Sequence, residues 1–448
     1  MRTAFLAPRS KGHTGFSDHA TRDARVSRQG EIVAAGDRDQ GAAAMASEMS
    51  FVAERNVLDG ELAEMIAAGD AQKPVDTIDL AIGDPDLATD QRIIDAAFAD
   101  ASCGFTHYAS PYGDSELLAA IRRVWQEDYD VEVARDEVMV TASATHAMYL
   151  LLDTVVDPGD EVVLFSPYFT PYKAQVEHAG GVPVVIECDP DAGFRLSAQA
   201  LEAAVTSRTK AVIVNTPNNP TGVCLSLEEL QGLVDVCRAH HMLLIADEIY
   251  TSFSFMRPFA PALWCEGAQE VCATIRSFSK NYCMSGWRLG YVIAPADVIE
   301  AMRCINESQV YTAPTLSQRA AIRALELRQD IRERVHEIYG DRLRFGMRRA
   351  CQLPGVSVPT TQGSLYLFLD VRGTGMDGAQ FCSLMKDEAH VLMLSGASFG
   401  AAGTGFVRLA LRVDIPQLGQ AFDRMERVLA AHSAAPVVMF NESQSVSA

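Results

Sequence analysis

The sequence predicts an α/β fold with a large, mainly parallel β-sheet domain and a smaller α+β domain. Three observations lead there. Short apolar runs alternate with helix-like stretches through the middle of the chain. Those runs are rich in Val, Ile and Leu, the composition of strands covered on both faces. Beyond Pro314 the pattern changes to long charged helices followed by short strands.

In chain order, residues 1–45 read as a disordered extension. They hold seven basic and five acidic residues, scattered Gly and Ser, and hardly a branched aliphatic. They lack the apolar core of a secretory signal, and Asp18, Asp23, Glu31, Asp37 and Asp39 oppose a transit peptide. A start at Met45 or Met49 is the alternative. A strand ending in Val140-Thr141 leads into a helix over Thr145–Val156. Further strands are expected at Glu161–Phe165, Val182–Ile186, Ala211–Asn215, Met242–Ala246, Ala273–Arg276 and Gly290–Ile293. Helices Thr170–His178 and Leu227–His240 lie between them, the second opening after Ser226 as N-cap. Helices Ser317–Leu327 and Gln329–Cys351 precede strands Ser364–Asp370 and Phe406–Leu411, and a polar tail closes the chain.

Composition narrows the function. A chain of 448 residues that is 48% hydrophobic can bury one large core or two ordinary ones. Its net charge of −20 repels phosphate backbones, and the absence of any basic run argues against a nucleic-acid partner. No apolar stretch is long enough to span a membrane. The ten cysteines include no C-x-x-C pair and no histidine pattern that would complete a zinc site, so no metal is expected. Free thiols and a cytoplasmic location follow from that reading.

Ligands of an open parallel sheet bind outside the carboxyl ends of its strands. Three successive expected strands end in Asn-Thr-Pro-Asn-Asn-Pro-Thr-Gly, Asp-Glu-Ile-Tyr and Ser-Phe-Ser-Lys. An amide, a carboxylate and an amine therefore reach one rim. Lys280 alone would be a solvated charge; beside a second cation such as Arg288 it becomes a candidate for a Schiff base. Asp247 follows four apolar residues, where it is either a cap or the partner of a cationic ring nitrogen. Tyr250 offers a phenol, and Asn219 sits in a turn held between Pro217 and Pro220. The helix start at Ala144 and Thr145 offers N–H groups to a phosphate. These groups together match what pyridoxal 5′-phosphate requires of a protein.

The matching stretches are Gly83-Asp-Pro-Asp86, Tyr108-Ala-Ser-Pro-Tyr-Gly113, Asn218-Asn-Pro-Thr-Gly222, Ala246-Asp-Glu-Ile-Tyr250, Ser277-Phe-Ser-Lys280, Ser285-Gly-Trp-Arg288 and Val407-Arg-Leu409. In order and spacing the chain resembles the class I/II, fold-type I pyridoxal-phosphate aminotransferases over roughly residues 49–433. The resemblance implies a small domain from residues 46–84 and 326–435, a large cofactor-binding domain over 85–325, and a tail over 436–448.

It also implies roles. Lys280 would carry the cofactor as a Schiff base and shuttle the substrate proton. Asp247 would pair the pyridine nitrogen, while Asn219 and Tyr250 would bond the ring oxygen and hold the Schiff-base pKa down. Ser277, Arg288, Ala144 and Thr145 would hold the phosphate, joined by Tyr108 from the other subunit of a homodimer. Phe169 would stack on the ring. Arg408 would fork onto the substrate α-carboxylate, met by the backbone near Gly83. The phosphate stretch departs from the usual two glycines, reading Ser143-Ala-Thr-His146, with His146 a packing or rim residue. The substrates implied are an α-amino acid and a 2-oxo acid. The stretch Ser308–Pro314 contains no cation and Thr145 is neutral, which tilts the donor towards neutral, aromatic or aliphatic amino acids. A lyase, synthase or cyclase on the same cofactor is the alternative. A cofactor-binding transcription regulator would need a DNA-binding domain that the first 45 residues cannot form.

Overall fold

The computed structural model describes residues 74–359 and 361–433. The expected extension 1–45, the starts Met45 and Met49, residues 46–73 and the tail 436–448 lie outside them. The strands are β1 (Ile78–Asp79), β2 (Val138–Thr141), β3 (Glu161–Ser166), β4 (Val182–Glu187), β5 (Thr209–Asn215), β6 (Leu243–Asp247), β7 (Cys272–Ser277), β8 (Gly290–Ile293), β9 (Tyr366–Asp370), β10 (Val391–Leu392), β11 (Leu394–Ser395) and β12 (Phe406–Ala410). Seven form one sheet in the order β2-β8-β7-β6-β5-β3-β4. Neighbours from β7 to β4 run parallel, and β8 alone runs against its neighbours on both sides.

The apolar runs form strands here because both faces of the sheet are buried. Val212, Val214, Leu244 and Ala246 enter one core, while Ala211, Ile213, Leu243 and Ile245 enter the other. This is the period-two alternation of a strand, with apolar residues on both sides. Helices cross between the parallel strands at Pro171–His178, Ala198–Ala204 and Leu227–His240. The last begins where expected: Ser226 Oγ accepts from Glu229 N–H at 3.2 Å, and Glu229 Oε2 accepts from Ser226 N–H at 2.7 Å.

Most boundaries shift by one or two residues from expectation, and two of the shifts have a clear local reason. The helix expected at Thr145 begins at Ala144, because Ser143 Oγ accepts from His146 N–H at 3.0 Å and caps it one residue earlier. The strand expected from Ser364 begins at Tyr366, since Ser364 is left-handed at φ 73° and cannot continue a strand. Past the long helices Thr315–Glu326 and Arg328–Ala350, β11, β12 and β9 form an antiparallel sheet, and β1 pairs parallel with β10. One core runs through both regions, from Ile121 and Val124 to Leu343 and Leu409. Among the described residues no helix is long and apolar enough to cross a membrane.

The end of β6 is fastened from below. Glu248, fully buried, lies 2.8 Å from Arg276 Nη2 and accepts from Ala262 N–H at 2.7 Å. The Arg276 guanidinium sits among the rings of Trp125, Tyr129 and Phe259 at 4.5, 5.2 and 5.0 Å. The Glu248–Arg276 approach falls short of hydrogen-bond geometry, so it is a Coulomb contact that keeps both charges compensated. Glu248→Ala leaves the buried guanidinium without its anion and should cost ~3–5 kcal/mol, read as a lower urea midpoint. Adding Arg276→Met should recover part of the loss.

Candidate active site

The parallel register of β5, β6 and β7 sets the site. Asn215 pairs with Asp247 and Asp247 with Ile275, so the three strands finish at one edge. Asn215 then ties the edge together. Its Nδ2 donates to the Asp247 carbonyl at 2.9 Å, and its Oδ1 accepts from Asn219 N–H at 2.7 Å. Above this edge lies a cavity of about 370 Å³. Of the expected site residues, Gly83, Ala144, Thr145, Phe169, Asn219, Asp247, Tyr250, Ser277, Lys280, Arg288 and Arg408 line it. Tyr108 does not. It is 84% exposed and packs edge-on against Tyr311 at 5.3 Å, on the outer surface of this chain.

Each charged group has a distinct environment. Lys280 Nζ donates to the Gly83 carbonyl at 2.5 Å. Asp247 is buried, and burial pushes its carboxyl up to about 6. It accepts from the Tyr172 hydroxyl at 2.5 Å and from Ile249 N–H at 3.3 Å, but no cation pairs with it among the described residues. Arg408 is the opposite case, a buried guanidinium without an ion pair among the described residues. Its Nη1 donates to Asn219 Oδ1 at 3.0 Å, its Nη2 to the Ala81 carbonyl, and its Nε has no acceptor among the described residues. The rings of Tyr366 and Phe399 flank it at 4.4 and 4.8 Å. Burial lowers its affinity for a proton.

A third group of residues is built to hold an anion. The helix Ala144–Val155 points its N-terminus at the cavity, where the hydroxyls of Ser143, Ser277, Ser279 and Ser285 and the guanidinium of Arg288 also converge. Gly290 permits this close approach, since a Cβ there would lie 2.8 Å from the Ala144 nitrogen. Arg288 sits at the mouth, bonded to the Ser285 carbonyl at 2.7 Å. His146 Nδ1 accepts from Ala142 N–H at 3.2 Å, a local contact beneath the helix start.

Tyr172, Tyr366, Ser143 and Ser279 belong to the site by position but were not singled out in the sequence. Tyr172 stands at the start of a helix after β3, and only the tertiary fold brings its hydroxyl to Asp247. Tyr366 opens a strand and reads there as a core aromatic. Ser143 and Ser279 carried a signal, since each lies within one or two residues of a residue already chosen.

The match to known proteins agrees with this geometry. Residues 75–425 match the family model for aminotransferase class I and II, so the chain belongs to that family. It is therefore a pyridoxal-phosphate-dependent enzyme that moves an amino group from an α-amino acid to a 2-oxo acid. An aspartate aminotransferase of Bacillus sp. (strain YM-2) is 34% identical over 360 residues, covering 79% of this chain and 91% of the relative. One from Geobacillus stearothermophilus is 35% identical, covering 80% and 92%. Among solved structures, the aromatic aminotransferase from Pyrococcus horikoshii OT3 superposes with a TM-score of 0.78 at 32% identity, covering 82% of this chain and 99% of that one. The Thermus thermophilus aspartate aminotransferase with maleate gives 0.79 at 30%, covering 85% and 100%.

The residues present fit the cofactor. Its cationic ring nitrogen would answer the unpaired Asp247, its phosphate the helix start and serines, and its aldehyde the Lys280 amine. In the cofactor-free protein, the raised Asp247 pKa makes folding less favourable as pH climbs from the ordinary carboxylate value towards about 6, with a constant deficit above that. Asp247→Asn should therefore stabilise the cofactor-free protein at pH 8 by on the order of 3 kcal/mol, and by less at pH 5. Urea unfolding at the two pH values checks this; an equal gain at both would mean that packing, not charge, is responsible.

Proposed function

We propose that this cavity is the transamination site and that Lys280 is its reacting amine. The reading rests on one observation: among the described residues, a single cavity holds an amine without an anion, a buried carboxylate without a cation and a buried guanidinium without a carboxylate. When bound, pyridoxal phosphate supplies a carbonyl for amine exchange and a ring that accepts electrons from the substrate α-carbon. Lys280 Nζ would accept the substrate α-proton and give it back. Asp247 would hold the ring nitrogen protonated, and Tyr172 would keep that carboxylate ionised and aimed. Asn219 and Tyr250 would bond the ring oxygen, and Phe169 would cover a ring face. Ser277, Arg288 and the backbone of Ala144 and Thr145 would anchor the phosphate. Arg408 would grip the substrate α-carboxylate, helped by the backbone near Gly83.

The surroundings extend the reading. Lys280, Arg288 and Arg408 are the cations lining the cavity among the described residues, whereas Ile82, Met148, Phe169 and Leu394 are apolar. This supports donors with apolar or aromatic side chains, although many relatives are named for aspartate. Tyr108 with the exposed Phe105, Val310 and Tyr311 supports a homodimer in which Tyr108 reaches the neighbouring subunit's phosphate. Ten free cysteines support the cytoplasm as location.

Lys280→Ala should abolish turnover while the protein still folds and binds the cofactor without a covalent bond. Borohydride reduction of the wild-type enzyme followed by peptide mapping should label Lys280; a label on another lysine overturns the assignment.

Arg408→Lys keeps the charge but loses the two-pronged grip, and kcat/KM should fall ~10- to 150-fold. The fall should be alike for aromatic, aliphatic and dicarboxylic donors, because all share the α-carboxylate. A loss confined to one donor class would assign Arg408 to the side chain instead.

A further inference from the structure

We propose that Tyr366 is a positioning residue whose hydroxyl donates to the Tyr250 oxygen and so commits the Tyr250 proton to the cofactor. The proposal rests on the role given to Tyr250 above.

Three features fix Tyr366 at this point. It opens β9, where it lies opposite Ala410 of β12, while Arg408 lies opposite Phe368. Tyr366 and Arg408 are thus diagonal neighbours on one face of the antiparallel sheet, close enough for a long side chain to reach across. The guanidinium carbon sits 4.4 Å from the ring centroid, which holds the ring in place without any bond to its hydroxyl. The hydroxyl in turn lies tight against the chain at Gly83. A Cβ there would fall 1.9 Å from it, so only glycine admits this hydroxyl beside the carbonyl that holds Lys280.

The Tyr366 and Tyr250 hydroxyls are 3.0 Å apart, and both residues are only 2% exposed. Two hydroxyls that share one hydrogen bond leave one proton to spare, and the direction of the bond decides which. If Tyr250 donated inward, the cofactor would lose its phenol donor. Arg408, stacked on the Tyr366 ring, is wholly a donor and cannot receive the Tyr366 proton. The Tyr250 oxygen can. A phenol that accepts a hydrogen bond becomes a stronger donor itself. Asp247, Tyr172, Lys280, Arg408 and Tyr366 are the charged or titratable groups around Tyr250 among the described residues, and burial holds its phenol far above the ordinary value, so it stays protonated and able to donate.

The test uses the cofactor-loaded enzyme and the pH dependence of its absorbance. A donor to the ring oxygen stabilises that oxygen as an anion and favours loss of the neighbouring imine proton. Tyr366→Phe keeps the ring over Arg408 and removes only the hydroxyl. The absorbance midpoint should rise by ~0.5–1 pH unit, with the KM for the amino donor and the thermal midpoint nearly unchanged. Tyr250→Phe should raise it further, and the double variant should match Tyr250→Phe alone. An unmoved midpoint in Tyr366→Phe, or shifts that add in the double variant, would overturn the proposal. An unmoved midpoint in Tyr250→Phe would instead overturn the role given to Tyr250, and the proposal with it.

Discussion

A carboxylate and a guanidinium face one cavity, both buried, neither with a partner of opposite charge among the described residues. Asp247 and Arg408 both line that cavity and are left unpaired there. An unpaired buried charge is costly, and its cost is visible in the raised Asp247 carboxyl and the lowered proton affinity of Arg408. On the proposed reading, the charges that would answer them come with the ligands: a ring cation for one, an α-carboxylate for the other. The site is organised by what it withholds from itself.

The rest of the structure carries that cost. Directly after Asp247, Glu248 points the other way and meets Arg276 inside a cage of three rings. Adjacent acidic residues thus have opposite fates: one is compensated and pins the strand, the other is left available. The Tyr172 hydroxyl and the Ile249 amide give Asp247 enough hydrogen bonding to remain a usable carboxylate. Arg408 is held by Asn219, Ala81 and two aromatic faces, leaving Nε without an acceptor among the described residues.

The part of this that is local in sequence was legible there. Leu227–His240 and Gly290–Ile293 lie where the pattern puts them, because a capping box and an apolar run are short-range signals. Asp247, Asn219 and Lys280 could be chosen because each lies at or just past a strand end, and a parallel sheet sends strand ends to one edge. Tyr172 and Tyr366 could not. Their roles depend on side chains that cross from another layer, and in sequence each is one more aromatic beside apolar neighbours. Tyr108 was legible as a motif, yet its place on the outer surface gives it no contact with the cavity of its own chain.

The segment before the first site helix shows how distant parts of the chain come to act together. β1 is only two residues long, yet it pairs with β10, and Leu80 bridges Leu392 on one side and Ala410 on the other. From that anchor the chain runs over the cavity, where Ala81 offers its carbonyl to Arg408 and Gly83 offers its own to Lys280. Two cations from opposite ends of the site therefore hold one strap, through carbonyls two residues apart. The strap is thus held at one end by hydrogen bonds to β10 and β12 and at the other by the Lys280 and Arg408 side chains that line the cavity.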